Sequence, residues 1–206
     1  PDSLEGLCHQ YHDGNPLPSG TELEDIIGIS RAILFPGYFG KSSVNSNTIK
    51  YQIGVNVERL HRKLTEQVLA GLCFSATCDE ESRRNMPSWV QQADAIATEL
   101  VARLPQIRST LATDIEAAYD GDPSVDNYSE IISCYPAIKA LVNYRVAHEL
   151  HRLHVPLIPR MMTEMAHSET GIDIHPAASI GKYFTIDHGT GVVIGATCII
   201  GNHVQL

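Results

Sequence analysis

Histidine and aspartate are the residue types near the end of this chain that can carry acid–base chemistry. His188 follows Asp187 directly and precedes the short run Gly189-Thr190-Gly191. A neutral imidazole with a pKa of about 6.5 can accept a proton at neutral pH. It works as a base when a carboxylate holds its other ring nitrogen. We therefore predict that His188 is a general base and that a nearby aspartate orients it.

Aliphatic residues that return every six positions predict how this histidine is positioned. Helical periodicity ends at Gly171, and after Ile186 the new spacing slips by two residues before the six-residue period resumes. The repeated positions are Ile174, Ile180, Ile186, Ile194, Ile200 and Leu206. One inward aliphatic side chain per hexapeptide predicts a parallel β-helix. The alternative is a set of short strands in an ordinary sheet with coincidental spacing.

The two-residue slip contains His188, and the extra length is expected to bulge outward and expose the ring. If one turn of the coil takes about 18 residues, Asp173 falls three positions short of lying under His188, on strands about 4.8 Å apart. We therefore expect Asp173 to share a corner with His188 and to orient it. His175 competes as the base, but it precedes Pro176 in a regular part of the repeat, so we expect a turn or packing role there.

The residues before Gly171 are predicted to be helical almost throughout, after an irregular arm at residues 1–21. Apolar spacing predicts a helix from Glu22 and a long helix over residues 48–74. A helix opened by Pro87 is predicted to close at Pro105. Further helices are predicted over residues 107–119, 129–153 and 161–166. The chain is thus predicted to be of the α+β class, with an arm (1–21), a helical domain (22–170) and the start of a β-helix (171–206).

Composition and charge exclude several classes of function. The net charge is −9, and no block of Lys and Arg interrupts the acidic background, so we expect no nucleic-acid partner. No apolar run approaches the roughly 20 residues that cross a bilayer, and the first residues lack the basic and apolar regions of a secretory signal. We therefore expect a cytoplasmic protein with no membrane contact.

Cysteine and histidine spacing does not match a metal site. The five cysteines are scattered, and Cys73 and Cys78 lack both CxxC spacing and a second pair of ligands. Three histidines, His148, His151 and His154, recur at steps of three residues. On a helix, the first and the last are separated by about 240° around the axis, so the three cannot converge on one ion. We predict a solvated or interface face for these histidines, and no bound metal.

Four segments of the chain resemble the signature of the serine O-acetyltransferases. Two lie in the repeat region, at residues 173–181 and 186–195, and two lie upstream, at residues 122–128 and 144–148. The resemblance is at the level of motifs over about residues 112–206, whereas residues 1–110 match only in being helical. The chain is thus similar to members of this family, which belongs to the hexapeptide-repeat acyltransferases.

The resemblance implies a left-handed β-helix and transfer of an acetyl group from acetyl-CoA to the hydroxyl of L-serine, giving O-acetylserine for cysteine biosynthesis. It implies that His188 and Asp173 form the catalytic dyad and that Asp122 and Asp187 bind the amino group of serine. Two alternatives stay open. Asp122 before Pro123 also has the pattern of a helix N-cap, and Asp187 is also a plausible polar turn residue.

The resemblance also implies partners. Acetyl-CoA is expected as a co-substrate, with no tightly bound cofactor, and its site is expected mainly beyond Leu206, where we expect the natural protein to continue. The expected assembly is a homotrimer or a dimer of trimers. A C-terminal tail could bind O-acetylserine sulfhydrylase (cysteine synthase).

Three alternative functions stay open on the sequence. They are a hexapeptide acyltransferase for another acceptor such as a sugar, a non-catalytic oligomerisation module, and a γ-type carbonic anhydrase with zinc on histidines. For the last, His175, His188 and His203 are spaced unlike the ligands of that family.

Overall fold

A computed structural model describes residues 16–39, 45–75 and 80–206 of the chain. The helices are α1 (Gly20–Leu34), α2 (Ile49–Ser75), α3 (Glu80–Gly121), α4 (Tyr128–Cys134), α5 (Pro136–Arg152) and α6 (Ile158–Thr170). The strands are β1 (Asp173–Ile174), β2 (Ser179–Ile180), β3 (Val193–Ile194) and β4 (Ile199–Ile200). Most of the predicted arm lies outside the described residues. The described helices do not combine the length and the apolar character that crossing a bilayer requires.

The first two helices form where their apolar periodicity predicts them. Ser19 caps α1 by accepting a hydrogen bond from the Glu22 amide at 3.3 Å. Leu23 and Ile26 of α1 are fully buried, as are Leu60 and Leu64 of α2, and the two helices pack together. Burial of these apolar stripes stabilises both helices beyond what their propensities supply.

The third helix differs from the predictions that Pro87 opens it and that Pro105 ends it, because it begins at Glu80 and ends at Gly121. It continues without a break through Pro87 and Pro105 for 42 residues. Leu104 and Ile107, on either side of Pro105, are both buried, and α3 packs against α2 and α5. A proline inside a helix costs roughly 3 kcal/mol. Burial of a continuous face along α3 offsets that cost. Local sequence rules do not include this burial, because it depends on packing against other helices.

Gly171 ends the helical region at the predicted position. It lies in the left-handed conformation, with φ of 73°, and its amide donates to the His167 carbonyl at 2.8 Å. The chain then forms a coil segment, which is defined here as residues 172–206. Its strands pair in parallel, β1 with β3 and β2 with β4.

The register of the coil segment is 20 residues, because Asp173 pairs with Val193, which follows it by 20 positions. The same offset relates Thr185 to Gln205 on another face. The predicted inward positions Ile174, Ile186 and Ile194 are 2%, 2% and 3% exposed. Ile180 is also buried, whereas Ile200 is half-buried and Leu206 is 49% exposed. The six-residue repeat is therefore confirmed as an inward pattern at four of the six predicted positions. The assumed 18-residue turn is wrong here, because the two-residue slip lengthens it.

Arg145 of α5 links the helices to the coil segment through buried polar contacts. Its guanidinium pairs with Asp114 of α3 at 3.0 Å and donates to the carbonyl oxygens of Ile180 and Gly181, each at 2.7 Å. Asp114 also accepts from the Phe184 amide at 3.1 Å. Arg145 is 8% exposed and Asp114 fully buried. The coil segment is thus oriented on α3 and α5 by one ion pair and its hydrogen bonds.

Gly181 is where successive turns of the coil segment approach most closely. A Cβ atom added there would lie 2.4 Å from Asn202 Oδ1 and 2.7 Å from the Gly201 carbonyl oxygen. We expect Gly181→Ala to destabilise the chain by about 1–3 kcal/mol, since backbone must move to admit the methyl group. Urea unfolding measures this loss. Gly195→Ala is the matched control, because a Cβ at Gly195 meets no atom within 4 Å, and equal losses in the two variants would contradict the prediction.

The described cysteines are free thiols. Cys73 is buried, Cys134 exposed and Cys198 half-buried, while Cys8 and Cys78 lie outside the described residues.

Candidate active site

A small open pocket of 210 Å³ lies where the end of α3 and the turn before α4 meet the coil segment. Three of the four predicted site residues line it, together with a tyrosine that sequence reasoning did not identify. These residues are Asp122, Asp187, His188 and Tyr135. The fold therefore brings together side chains separated by more than 60 positions, counting from Asp122 to His188.

Asp122 follows the last residue of α3 and closes a turn through its side chain. Its Oδ1 accepts from the Ser124 amide at 2.9 Å and from Ser124 Oγ at 2.6 Å. The alternative of a helix N-cap is wrong, because Asn127 caps α4 by accepting from the Glu130 amide at 3.1 Å. Asp122 is instead held as a hydrogen-bonded carboxylate at the edge of the pocket.

Tyr135 donates a hydrogen bond from its hydroxyl to Asp122 Oδ2 at 2.5 Å. Hydrogen bonds from Ser124 and Tyr135 lower the pKa of Asp122 to about 2. The same bond to Asp122 raises the pKa of Tyr135 to about 12. Asp122 therefore carries its negative charge, and Tyr135 its proton, throughout the physiological pH range.

Little in the sequence indicates that Tyr135 belongs to the site. It precedes Pro136, and that pair marks the start of α5. Its distance from Asp122 depends on the turn and on α4, which lie between them.

His188 lies on the outward bulge that the slip creates. Its φ is 54°, its side chain is 94% exposed, and its Nε2 atom is 3.8 Å from Asp187 Oδ1. Gly189, with φ of 81°, follows it, and a Cβ there would lie 2.4 Å from Ile186 Cγ2. Only glycine fits this turn without strain. The bulge thus packs tightly on the coil while its histidine faces the pocket opening.

Asp173 is placed differently from the other predicted residues. It accepts from Arg160 of α6 at 2.8 Å, and this bond lowers its pKa. Since the register is 20 residues, Asp173 lies beside Val193, five positions beyond His188. Asp173 and His188 share no hydrogen bond or ion pair in this chain. Their dyad stays a prediction.

Two further clusters bear on the sequence predictions. His175 Nδ1 accepts from the Ala177 amide at 3.1 Å, which is a turn contact. His148 is turned to the coil segment, with Nδ1 2.8 Å from the Pro176 carbonyl oxygen, whereas His151 and His154 are exposed. Burial lowers the pKa of His148. His148 therefore contacts the coil segment, whereas the other two histidines lie on a solvated face as predicted.

Glu164, His167 and Asp173 place one potential ligand atom each within 4.8 Å of one another. Arg160 forms ion pairs with both Glu164 and Asp173. A guanidinium already neutralises these carboxylates, so the cluster has an explanation that needs no ion.

Known proteins are similar to this chain in sequence and in fold. No protein-family model matches the chain. A curated protein named "Serine acetyltransferase, plasmid" from Synechococcus elongatus is 41% identical over 200 residues, which is 97% of this chain and 62% of that protein. Entamoeba histolytica serine acetyltransferase 1, solved in complex with L-cysteine, aligns with a TM-score of 0.72 and 35% identity. That match covers 87% of this chain and 59% of the Entamoeba chain.

Helices followed by a parallel coil with an inward aliphatic residue every six positions define a hexapeptide-repeat protein. Among such proteins, this chain is homologous to the serine acetyltransferases. It spans less than two thirds of the length of both relatives.

Proposed function

We propose that the whole protein is a serine O-acetyltransferase, which transfers acetyl from acetyl-CoA to the L-serine hydroxyl and forms O-acetylserine for cysteine synthesis. The observation that carries the proposal is the pocket in which a permanently ionised Asp122 lies with Asp187 and His188. Two carboxylates suit the ammonium group of an amino acid, and an exposed imidazole suits its hydroxyl. The relative from Entamoeba was solved with L-cysteine, which differs from serine by sulfur in place of oxygen.

The proposed reaction uses His188 first as a base and then as an acid. As the serine oxygen attacks the thioester carbonyl of acetyl-CoA, the imidazole accepts the hydroxyl proton. The tetrahedral intermediate then collapses, the carbon–sulfur bond breaks, and the imidazolium returns the proton to the thiolate of CoA. A base of this kind contributes about 10²–10⁴-fold to the rate.

Asp173 is proposed to orient the imidazole by accepting a hydrogen bond from its second nitrogen. In the single chain, the Asp173 carboxylate is ionised and engaged by Arg160. The role requires it to share that carboxylate with His188. Asp187 is proposed to pair with the serine ammonium beside Asp122.

We also propose the finer architecture that the resemblance implies. The coil segment would be the start of a left-handed parallel β-helix, with a boundary near residue 171 between it and the helical domain. Homotrimers, or pairs of trimers, would place active sites between subunits. Acetyl-CoA would bind mainly to the remaining length of the whole protein, and cysteine synthase to its C-terminal tail.

The proposal is tested on the full-length protein by measuring CoA release from acetyl-CoA with L-serine and with a panel of sugars and amino sugars. We expect turnover with serine and none with the sugars. Sugar turnover would favour an acyltransferase for another acceptor, and oligomers without any turnover would favour an assembly module. Stoichiometric zinc without acetyl transfer would contradict the proposed class.

We expect Asp122→Asn to raise the KM for serine by about 10–100-fold, because it removes a charge-assisted contact with the ammonium group. Tyr135→Phe should raise it by about 3–10-fold, since Asp122 loses one of its positioning hydrogen bonds. The pKa of Asp122 should then rise from about 2 toward its ordinary 3.8. Both values lie far below neutral pH, so the effect should not vary from about pH 6 to 9.

Tyr128→Phe is the matched control, because Tyr128 is exposed, its ring contacts Tyr119 at a tilt, and it does not line the pocket. An unchanged KM for serine in Tyr135→Phe would show that the Tyr135 hydroxyl has no role in serine binding. A loss that tracked pH in this range would show that another titrating group, and not the orientation of Asp122, controls serine binding.

A further inference from the structure

A second cavity, of 680 Å³, lies between α1 and α2 and shares no lining residue with the His188 pocket. Small residues on α1 leave space for it, since a Cβ added at Gly28 would meet no atom within 4 Å. Ile29, Ile53 and Phe39 supply apolar surface. A volume of this size, with mixed polar and apolar walls, is typical of small-molecule sites.

Arg31 lines this cavity and is partly buried. Its Nε atom is buried and has no hydrogen-bond partner. Among residues 16–39, 45–75 and 80–206, no carboxylate lies within ion-pair distance of its guanidinium. The guanidinium lies 4.1 Å over the Phe39 ring, and burial lowers the pKa of Arg31. A partly desolvated charge without a counter-ion is unusual in a folded protein and calls for a ligand.

The charges around the cavity differ between its two ends. Burial, and then repulsion from Arg31, lower the pKa of Lys139, which pairs with Glu169. Glu24 and Asp25 line the cavity about two helical turns earlier on α1, and Lys63 already pairs with Asp25 at 3.2 Å. The exposed Arg59 of α2 also lines the cavity, so Arg31 and Arg59 together exceed the charge of Glu24 by one. A ligand with one negative charge at the Arg31 end fits this distribution. A second negative charge would be repelled by Glu24.

We propose that this cavity binds a small organic monocarboxylate. The Arg31 guanidinium pairs with the carboxylate, and Ile29, Ile53 and Phe39 contact the aliphatic part of the ligand. Inorganic phosphate lacks such an apolar part and carries more charge than the site balances. The site is separate from the proposed reaction, so its occupancy does not depend on the identity of the acetyl acceptor.

The proposal is tested by isothermal titration calorimetry of the full-length protein with 4-methylpentanoate. The neutral 4-methylpentanamide and inorganic phosphate are the comparison ligands. We expect saturable binding of the carboxylate, with the amide and phosphate each weaker by about tenfold or more. No saturable binding of the carboxylate, or tighter binding of phosphate or of the amide, would overturn the proposal.

Variants assign the binding to this cavity. Arg31→Gln should weaken 4-methylpentanoate by about tenfold or more, and Gly28→Leu should abolish its binding by filling the space. Gly54→Leu is the matched control, because Gly54 is an exposed helical glycine outside the cavity with no atom near its Cβ position. Far-ultraviolet circular dichroism confirms that each variant is folded. Unchanged affinity in folded Arg31→Gln or Gly28→Leu protein would contradict the assignment.

Discussion

We expect His188→Asn in the full-length protein to lower kcat for acetyl transfer to serine by about 10²–10⁴-fold, with little change in the KM for either substrate. The serine hydroxyl is a weak nucleophile until a base removes its proton, and the amide of asparagine cannot accept one. CoA release under saturating serine and acetyl-CoA measures the loss. The backbone should tolerate the change, because His188 has φ of 54° and asparagine adopts this conformation readily.

His203→Asn is the matched control for this experiment. His203 also has a positive φ, of 58°, but it stacks on Tyr183 and does not line the His188 pocket. Its variant should keep near-normal kcat while placing the same side chain in the same backbone conformation. Full activity in His188→Asn would refute the proposed base, and an equal loss in both variants would indicate a general effect on the coil.

Replacing Arg145 by alanine should destabilise the fold by about 3–5 kcal/mol. The change leaves the fully buried Asp114 without its counter-ion and removes the donor from the carbonyl oxygens of Ile180 and Gly181. Burial raises the pKa of Asp114, and the Arg145 charge and the Phe184 amide oppose that rise. The midpoint of urea unfolding, compared at equal slope, measures the loss of unfolding free energy.

The pH dependence of this variant follows from the same contacts. Without Arg145, the pKa of Asp114 in the folded state should rise further above its unfolded value. Such a group binds more protons in the folded state, so stability falls as pH rises through the folded pKa. The deficit of Arg145→Ala should therefore be larger at neutral pH than near pH 4.

Arg152→Ala is the control, because Arg152 is exposed and its contacts with Glu149 are 3.3 Å or longer. We expect a change within about 0.5 kcal/mol for it. An Arg145→Ala loss below about 1 kcal/mol would show that the ion pair does not hold the coil segment on the helices.

Local periodicity predicted the start of α1, most of α2 and the end of the helical region at Gly171. It failed at Pro105, because the penalty for a helical proline is local while the burial that offsets it comes from α2 and α5. The 20-residue register was present in the sequence as the two-residue slip after Ile186. Assuming a regular 18-residue turn misplaced Asp173 relative to His188.

The sequence by itself determined which side chains face inward in the coil segment and which residue types near the slip can move protons. Both depend on spacing along a single stretch of chain, where period and geometry are directly related. Tertiary structure alone decided that Tyr135 holds Asp122, that Arg160 pairs with Asp173 and that Arg31 Nε has no hydrogen-bond partner among the described residues. Those outcomes depend on how separate helices and the coil pack together, because the distance between two side chains is set by packing and not by their separation in sequence.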